Sequence, residues 1–205
     1  AMDLACHGKT KSAVTNFAKI VESIAEVISK QCTGPVALIG HSFGGAVAAR
    51  VARKSNLCVA SLVLIAPVGI GTEIEQGFLN GMIYANSNEA MQRELSKLTV
   101  AGIVPSTAYV SELRTRIQVR RDRLLDLCRE VSWSGVQQLD VIPDLAELNG
   151  LSVVIQGRRD EIVPWQQVLN LPPRVALHLL PDAGHMPQWE STALIADIVL
   201  DNVMP

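Results

Sequence analysis

Paired cysteines, an apolar run long enough to cross a bilayer and an excess of charge of either sign are all missing from this chain. The four cysteines, Cys6, Cys32, Cys58 and Cys128, are widely spaced and form no C-x-x-C pair, which reads as free thiols in a reducing compartment. No apolar stretch approaches the ~18 to 20 residues that span a bilayer, and the amino terminus shows no basic-then-apolar leader. A cytoplasmic protein without membrane contact is therefore the expectation. A formal net charge of −2 supplies no general pull toward nucleic acid. Metal-ligand spacings such as H-E-x-x-H are also absent, so no metal is expected. Gly69-Ile70-Gly71 lacks the third glycine and following helix of a dinucleotide fingerprint, so no cofactor is implied either.

What is present is a large apolar share. Residues of the AVILMFWYC set reach 48% of 205 positions, before 14 glycines are added. That suits one domain with a sizeable core, and a parallel sheet covered on both faces or an oligomer interface would account for the surplus. From Ser12, apolar residues Val14, Phe17, Ile20, Val21, Ile24 and Ile28 recur at helical spacing, predicting an amphipathic helix capped by Ser12. Thr33-Gly34-Pro35 ends it, a buried strand follows over 36–39, and a small-residue helix runs to about Lys54. Residues 59–66 read as a second buried strand. Residues 72–149 break the alternation with helix-like segments and no convincing strand. The rhythm resumes with a strand at 151–156, a short helix at 164–169, a strand at 175–180 and a closing helix at 189–203, which together imply a parallel sheet wrapped on both sides.

Gly40-His41-Ser42-Phe43-Gly44 sits where the first strand gives way to its helix, the context of a nucleophile elbow. To lift the Ser42 hydroxyl clear, the chain must turn sharply in a strained conformation, and small residues are expected two before and two after, at Gly40 and Gly44. Gly45 adds room where the helix packs on the strand.

A serine hydroxyl is a weak nucleophile at neutral pH, so it needs a base, and the base needs an acid to orient it. Asp160 lies in Gly157-Arg158-Arg159-Asp160-Glu161, just past a predicted strand, and His185 lies in Ala183-Gly184-His185-Met186, past the last strand. Of four histidines, His7 lies near the start, His41 inside the elbow and His178 in mid-strand, leaving His185 as the candidate base. Asp160 is the candidate acid, with Glu161 its nearest rival. The order Ser42, Asp160, His185 is the one an elbow of this kind requires. Arg114, Arg116, Arg120, Arg121 and Arg123 alternate with Glu112, Asp122 and Asp126; a solvated, salt-bridged helix face is the plain reading, and a receptor for an acidic group the sharper one.

Elbow, acid loop and histidine loop together resemble the α/β-hydrolase superfamily, and Asp3-Leu4-Ala5-Cys6-His7-Gly8-Lys9 resembles the segment after the fourth strand of such enzymes. Residues 64–74 and the stretch beyond resemble, more narrowly, the hydrolase-fold domain of the dihydrolipoamide acetyltransferase component of acetoin dehydrogenase complexes. The resemblance implies a partial α/β-hydrolase fold, a mostly parallel sheet flanked by helices, with core residues 1–71 and 150–205 and a helical cap inserted at 72–149. It implies that the Phe43 N–H is one oxyanion donor. It also implies that the usual first four strands, and with them the second donor, are absent, so that the elbow strand becomes an unpaired edge suited to a homodimer or higher oligomer. The expected activity is that of a serine hydrolase or acyltransferase on a small ester, thioester or acyl group. The alternative is a weak or inactive relative with an oligomeric binding role.

Overall fold

The computed structural model describes residues 1–203. Helix α1 (Phe17–Gln31) turns Phe17, Ile20, Val21 and Ile28 inward. It is capped by Asn16, whose Oδ1 accepts the Lys19 N–H at 3.1 Å, and not by Ser12. The correction is tertiary in origin: Glu130, far along the chain, accepts both the Phe17 N–H and the Asn16 side-chain amide, so the orphan donors of the first turn are met there. Strand β1 (Val36–His41) leads through Ser42 into α2 (Phe43–Lys54), and β2 (Val59–Ile65) follows.

Beyond β2 come α3 (Gln76–Tyr84), α4 (Asn88–Ser96), α5 (Thr107–Val119) and α6 (Arg121–Val131). Ser87 and Ser106 cap α4 and α5 through their hydroxyls. The expectation of no strand here is corrected by a small antiparallel pair, β3 (Ser132–Trp133) and β4 (Val136–Gln137). Its two-residue loop, Ser134-Gly135, has φ of 51° and 78°, both positive as a turn twisted to match a hairpin demands. Two residues per strand leave no periodicity to detect. Helix α7 (Ile142–Glu147), β5 (Leu151–Gly157), a 3₁₀ turn (Trp165–Asn170) and β6 (Ala176–Leu180) follow. The closing helix divides at Ser191 into α8 (Pro187–Glu190) and α9 (Thr192–Val203).

The main sheet has the order β1-β2-β5-β6, all parallel. On one face, Leu62, Leu64 and Val154 join the larger core with Phe17, Ile20, Val47 and Val51 of α1 and α2. On the other, Val63, Ile65, Val153 and Ile155 pack with Ile195 and Ile198 of α9. Each such fully buried aliphatic side chain contributes about 1.5–3 kcal/mol. The expectation that 36–39 forms a buried strand is corrected along its length: Val36 and Leu38 are half-buried, whereas Ala37 and Ile39 are exposed, Ile39 to 53%. The reason is positional: β1 is the sheet edge, and α9 is packed over β2 and β5.

Candidate active site

Register brings the carboxyl ends of the strands level: His41 pairs with Ile65, and Gly157 with Leu180. Ser42 follows β1 directly with φ 53° and ψ −120°, a conformation costing about 1–3 kcal/mol that persists only where its surroundings enforce it. They do: Ser42 N–H donates to Ile65 O at 2.9 Å, and Ser42 O accepts the Gly45 N–H at 2.9 Å and the Val68 N–H at 3.3 Å. The need for small neighbours is uneven. A Cβ on Gly40 would lie 2.4 Å from the Gly44 carbonyl oxygen, whereas one on Gly44 would meet nothing within 4 Å. Only Gly40 is sterically required, which corrects the symmetrical expectation.

The three distant side chains meet. Ser42 Oγ lies 3.0 Å from His185 Nε2, and His185 Nδ1 lies 2.8 Å from Asp160 Oδ2. Asp160 and His185 are buried while Ser42 is half-buried, and Glu161 points to solvent. Asp160 Oδ1 accepts the N–H groups of Ile162 and Val163 at 2.8 and 2.9 Å, and Oδ2 also accepts from Gln156 Nε2 at 2.9 Å. Four donors thus meet the four lone pairs of one carboxylate. An imidazole between a hydroxyl and such a carboxylate can take a proton from the first while the second stabilises the resulting cation.

The histidine loop is pinned from several sides. Gly184 N–H donates to Glu190 Oε2 at 2.6 Å, Met186 N–H to Leu98 O at 3.0 Å and Arg159 N–H to Ala183 O at 3.0 Å. A Cβ on Gly157 would sit 2.2 Å from Gly184 O, so the end of β5 can approach this loop only as glycine. His41 Nε2–H donates to His185 O at 2.8 Å, with the two rings 5.0 Å apart. Burial, and then the neighbouring His185, lowers the His41 pKa from 6.5 to about 4, so His41 is a neutral donor. Residue-type reasoning assigns His41 only to the elbow and gives Gln156 no part at all. The roles of both depend on contacts made across the fold, and no local pattern marks them.

A cleft of about 550 Å³ lies over Ser42, bordered by Leu4, Ile39, Phe43, Phe78, His185 and Met186. Phe43, the first residue of α2, has no acceptor for its N–H within the helix. His7 stacks near Phe43, with ring centroids 6.2 Å apart, and His178 is half-buried on β6. Among the described residues, no group of three or more His, Cys, Asp and Glu side chains could hold a metal, and no helix is long and apolar enough to cross a membrane. All four cysteines are free. The arginine-rich stretch differs from a single salt-bridged face, because it is divided between α5 and α6 at Arg120. Arg116 pairs with Glu112, but Arg120 donates to the carbonyls of Cys6, Gly8 and Thr10 and Arg121 lies over the Tyr84 ring.

Comparison with known proteins gives consistent findings. A sequence model described as "Alpha/beta hydrolase family" matches residues 1–198. The dihydrolipoyllysine-residue acetyltransferase component of the acetoin cleaving system of Cupriavidus necator is 29% identical over 93% of this chain and 52% of its own length. The 2-hydroxymuconate semialdehyde hydrolase of Pseudomonas putida is 28% identical over 79% of this chain and 60% of its own. The chain thus spans about half to three-fifths of the length of these curated relatives. Among solved structures, 2-hydroxy-6-oxo-6-phenylhexa-2,4-dienoate hydrolase from Rhodococcus sp. strain RHA1 superposes with a TM-score of 0.81 at 18% identity, covering 97% of this chain and 77% of that one, a likeness of fold.

Proposed function

Given that the chain belongs to the alpha/beta hydrolase family, we propose that it is a serine hydrolase or acyltransferase in which Ser42 is the nucleophile, His185 the general base and Asp160 its orienting acid. The observation that carries this reading is the unbroken relay of 3.0 and 2.8 Å from hydroxyl to carboxylate. Ser42 Oγ attacks the carbonyl carbon of an ester, thioester or other acyl group as its proton passes to His185 Nε2. The Phe43 N–H, at the positive end of α2, stabilises the developing oxyanion. Collapse expels the alcohol or thiol, which takes the proton from His185, and leaves acyl-Ser42. Water or a second acceptor, deprotonated by His185, then releases the acyl group. Transfer to water is hydrolysis, and transfer to another acceptor is acyl transfer. Relatives named both as hydrolases and as an acetyltransferase component support a shared acyl chemistry of this kind. Residues 72–149 act as the cap that shapes the substrate side of the cleft.

The test is labelling with a fluorophosphonate probe. Wild-type protein becomes labelled at Ser42, and Ser42→Ala and His185→Ala do not. Absence of labelling in folded wild-type protein, together with no turnover of p-nitrophenyl acetate, overturns the reading.

One observation favours a second role. Among the described residues, β1 hydrogen-bonds on one side only, to β2, beside an Ile39 that is 53% exposed. Such an edge suits pairing with a second copy, so the protein acts as a homodimer or larger oligomer, with binding outweighing turnover if the chemistry is slow. A monodisperse monomer in light scattering at micromolar concentration removes this role.

A further inference from the structure

Gln156 is the penultimate residue of β5, in register with Leu179 of β6, and its side chain is wholly buried. Its Nε2 lies 2.9 Å from Asp160 Oδ2, 3.3 Å from Val163 O and 3.4 Å from Gly157 O. Among the described residues, its Oε1 has no hydrogen-bond partner. Three acceptors around one end of the amide and no donor at the other fix its orientation, since a flipped amide would set Oε1 against a carboxylate and two carbonyls. A buried acceptor without a partner is destabilising, and a methionine or leucine of similar reach would fill the same space without one. Packing alone gives no reason for an amide at this position.

Resting on the relay reading above, we infer that Gln156 is a positioning residue acting through Asp160: by occupying one lone pair of Oδ2, it leaves a single acceptor site for His185 and tempers the carboxylate's pull on the imidazole. Asp160 Oδ1 is already held by the Ile162 and Val163 N–H groups, so the carboxylate plane does not depend on Gln156. What the amide controls is the charge on the oxygen that faces His185. Besides Asp160, the titratable groups near that ring are His41 from β1, whose ring centroid is 5.0 Å away, and Glu190 from α8, which accepts the Gly184 N–H. Arg159 and Glu161, in the acid loop, are exposed. None of these four donates to Oδ2.

The experiment follows the four histidine rings by NMR titration in wild type, Gln156→Met and Gln156→Leu, with melting temperatures measured alongside. The expected result is a His185 midpoint raised by roughly half to one pH unit in both variants, with a lowered melting temperature, because one lone pair of the buried Asp160 carboxylate loses its donor. The acidic limb of kcat/KM against pH then moves upward by the same amount. An unmoved or lowered midpoint in folded variants overturns the inference, because a purely structural glutamine would leave the ring's titration alone. The two readings fail separately. Probe labelling with an unmoved midpoint keeps the hydrolase and removes Gln156 from its relay. A raised midpoint without probe labelling keeps the Gln156–Asp160–His185 coupling and removes the hydrolase.

Discussion

The serine end and the acid end of the relay are built on opposite terms. Ser42 is half-buried beneath an open cleft and held by a strained backbone, with its neighbouring peptide groups bonded to β2 and α2. Asp160 is buried, is not among the residues with positive φ, and has four donors around its carboxylate. Under the proposed chemistry the Ser42 oxygen must meet a substrate and cannot be immersed in partners, so its position is enforced through the main chain. A charge that must survive burial needs every lone pair met, so its position is enforced through hydrogen bonds.

The largest effects come from cutting the relay itself. Asp160→Asn leaves the shape intact but offers His185 the wrong tautomer, and kcat is expected to fall by about 10³- to 10⁴-fold, read by stopped assays on p-nitrophenyl acetate. Labelling of Ser42 slows with it. If turnover in this variant stays within a few-fold of wild type, the acid end is not part of the chemistry.

At the serine end the comparison sharpens through its two glycines. Gly40→Ala drives a Cβ to 2.4 Å from a backbone oxygen that is itself part of the elbow, and urea denaturation should register a loss of about 3 kcal/mol or more. Gly44→Ala places its Cβ in open space on a helix, and is expected to be neutral or to stabilise by up to about 1 kcal/mol. Equal losses for the pair would contradict the asymmetry.

A smaller effect comes from His41, which joins the two ends. Its folded pKa of about 4 lies below the ordinary 6.5. The unfolded chain therefore binds the extra proton first, and stability is lost as pH falls from 6.5 toward 4. At pH 5 that loss is about 2 kcal/mol relative to pH 7. Gln at position 41 can still donate a hydrogen bond but does not titrate, so His41→Gln should flatten the slope of melting temperature against pH in this window. A slope equal to that of wild type would assign the pH dependence elsewhere.

The thiols give the mildest test and involve neither end. Cys32 and Cys58 are exposed, whereas burial raises the pKa of Cys6 and pushes Cys128 up to about 11. Titration with a chromogenic disulfide should find two fast thiols in native protein and two that respond only on unfolding. Four fast thiols would show that the α5–α6 side opens readily.

Much of the scaffold was readable from local chemistry. Runs such as Val59–Ile65 and Leu151–Gly157 announce buried strands by composition, and glycine on either side of Ser42 announces a turn. What escaped has a common cause. Asn16 caps α1 because Glu130 of α6 completes the site. Ile39 is exposed because α9 packs over other strands. The β3–β4 hairpin is too short to carry a period.

The residue order of the chain, by itself, determined that a serine would stand at a strand-to-helix turn and that an aspartate and a histidine would follow later strands, because these depend on periodicity and backbone sterics within a few neighbours. Tertiary structure alone decided that the three would stand within hydrogen-bond reach, that Gln156 and His41 would flank them, and that Gly44 would be free of the constraint on Gly40. Those outcomes depend on strand register and on which loops close over one another, and distances between remote segments are set only when the whole core packs.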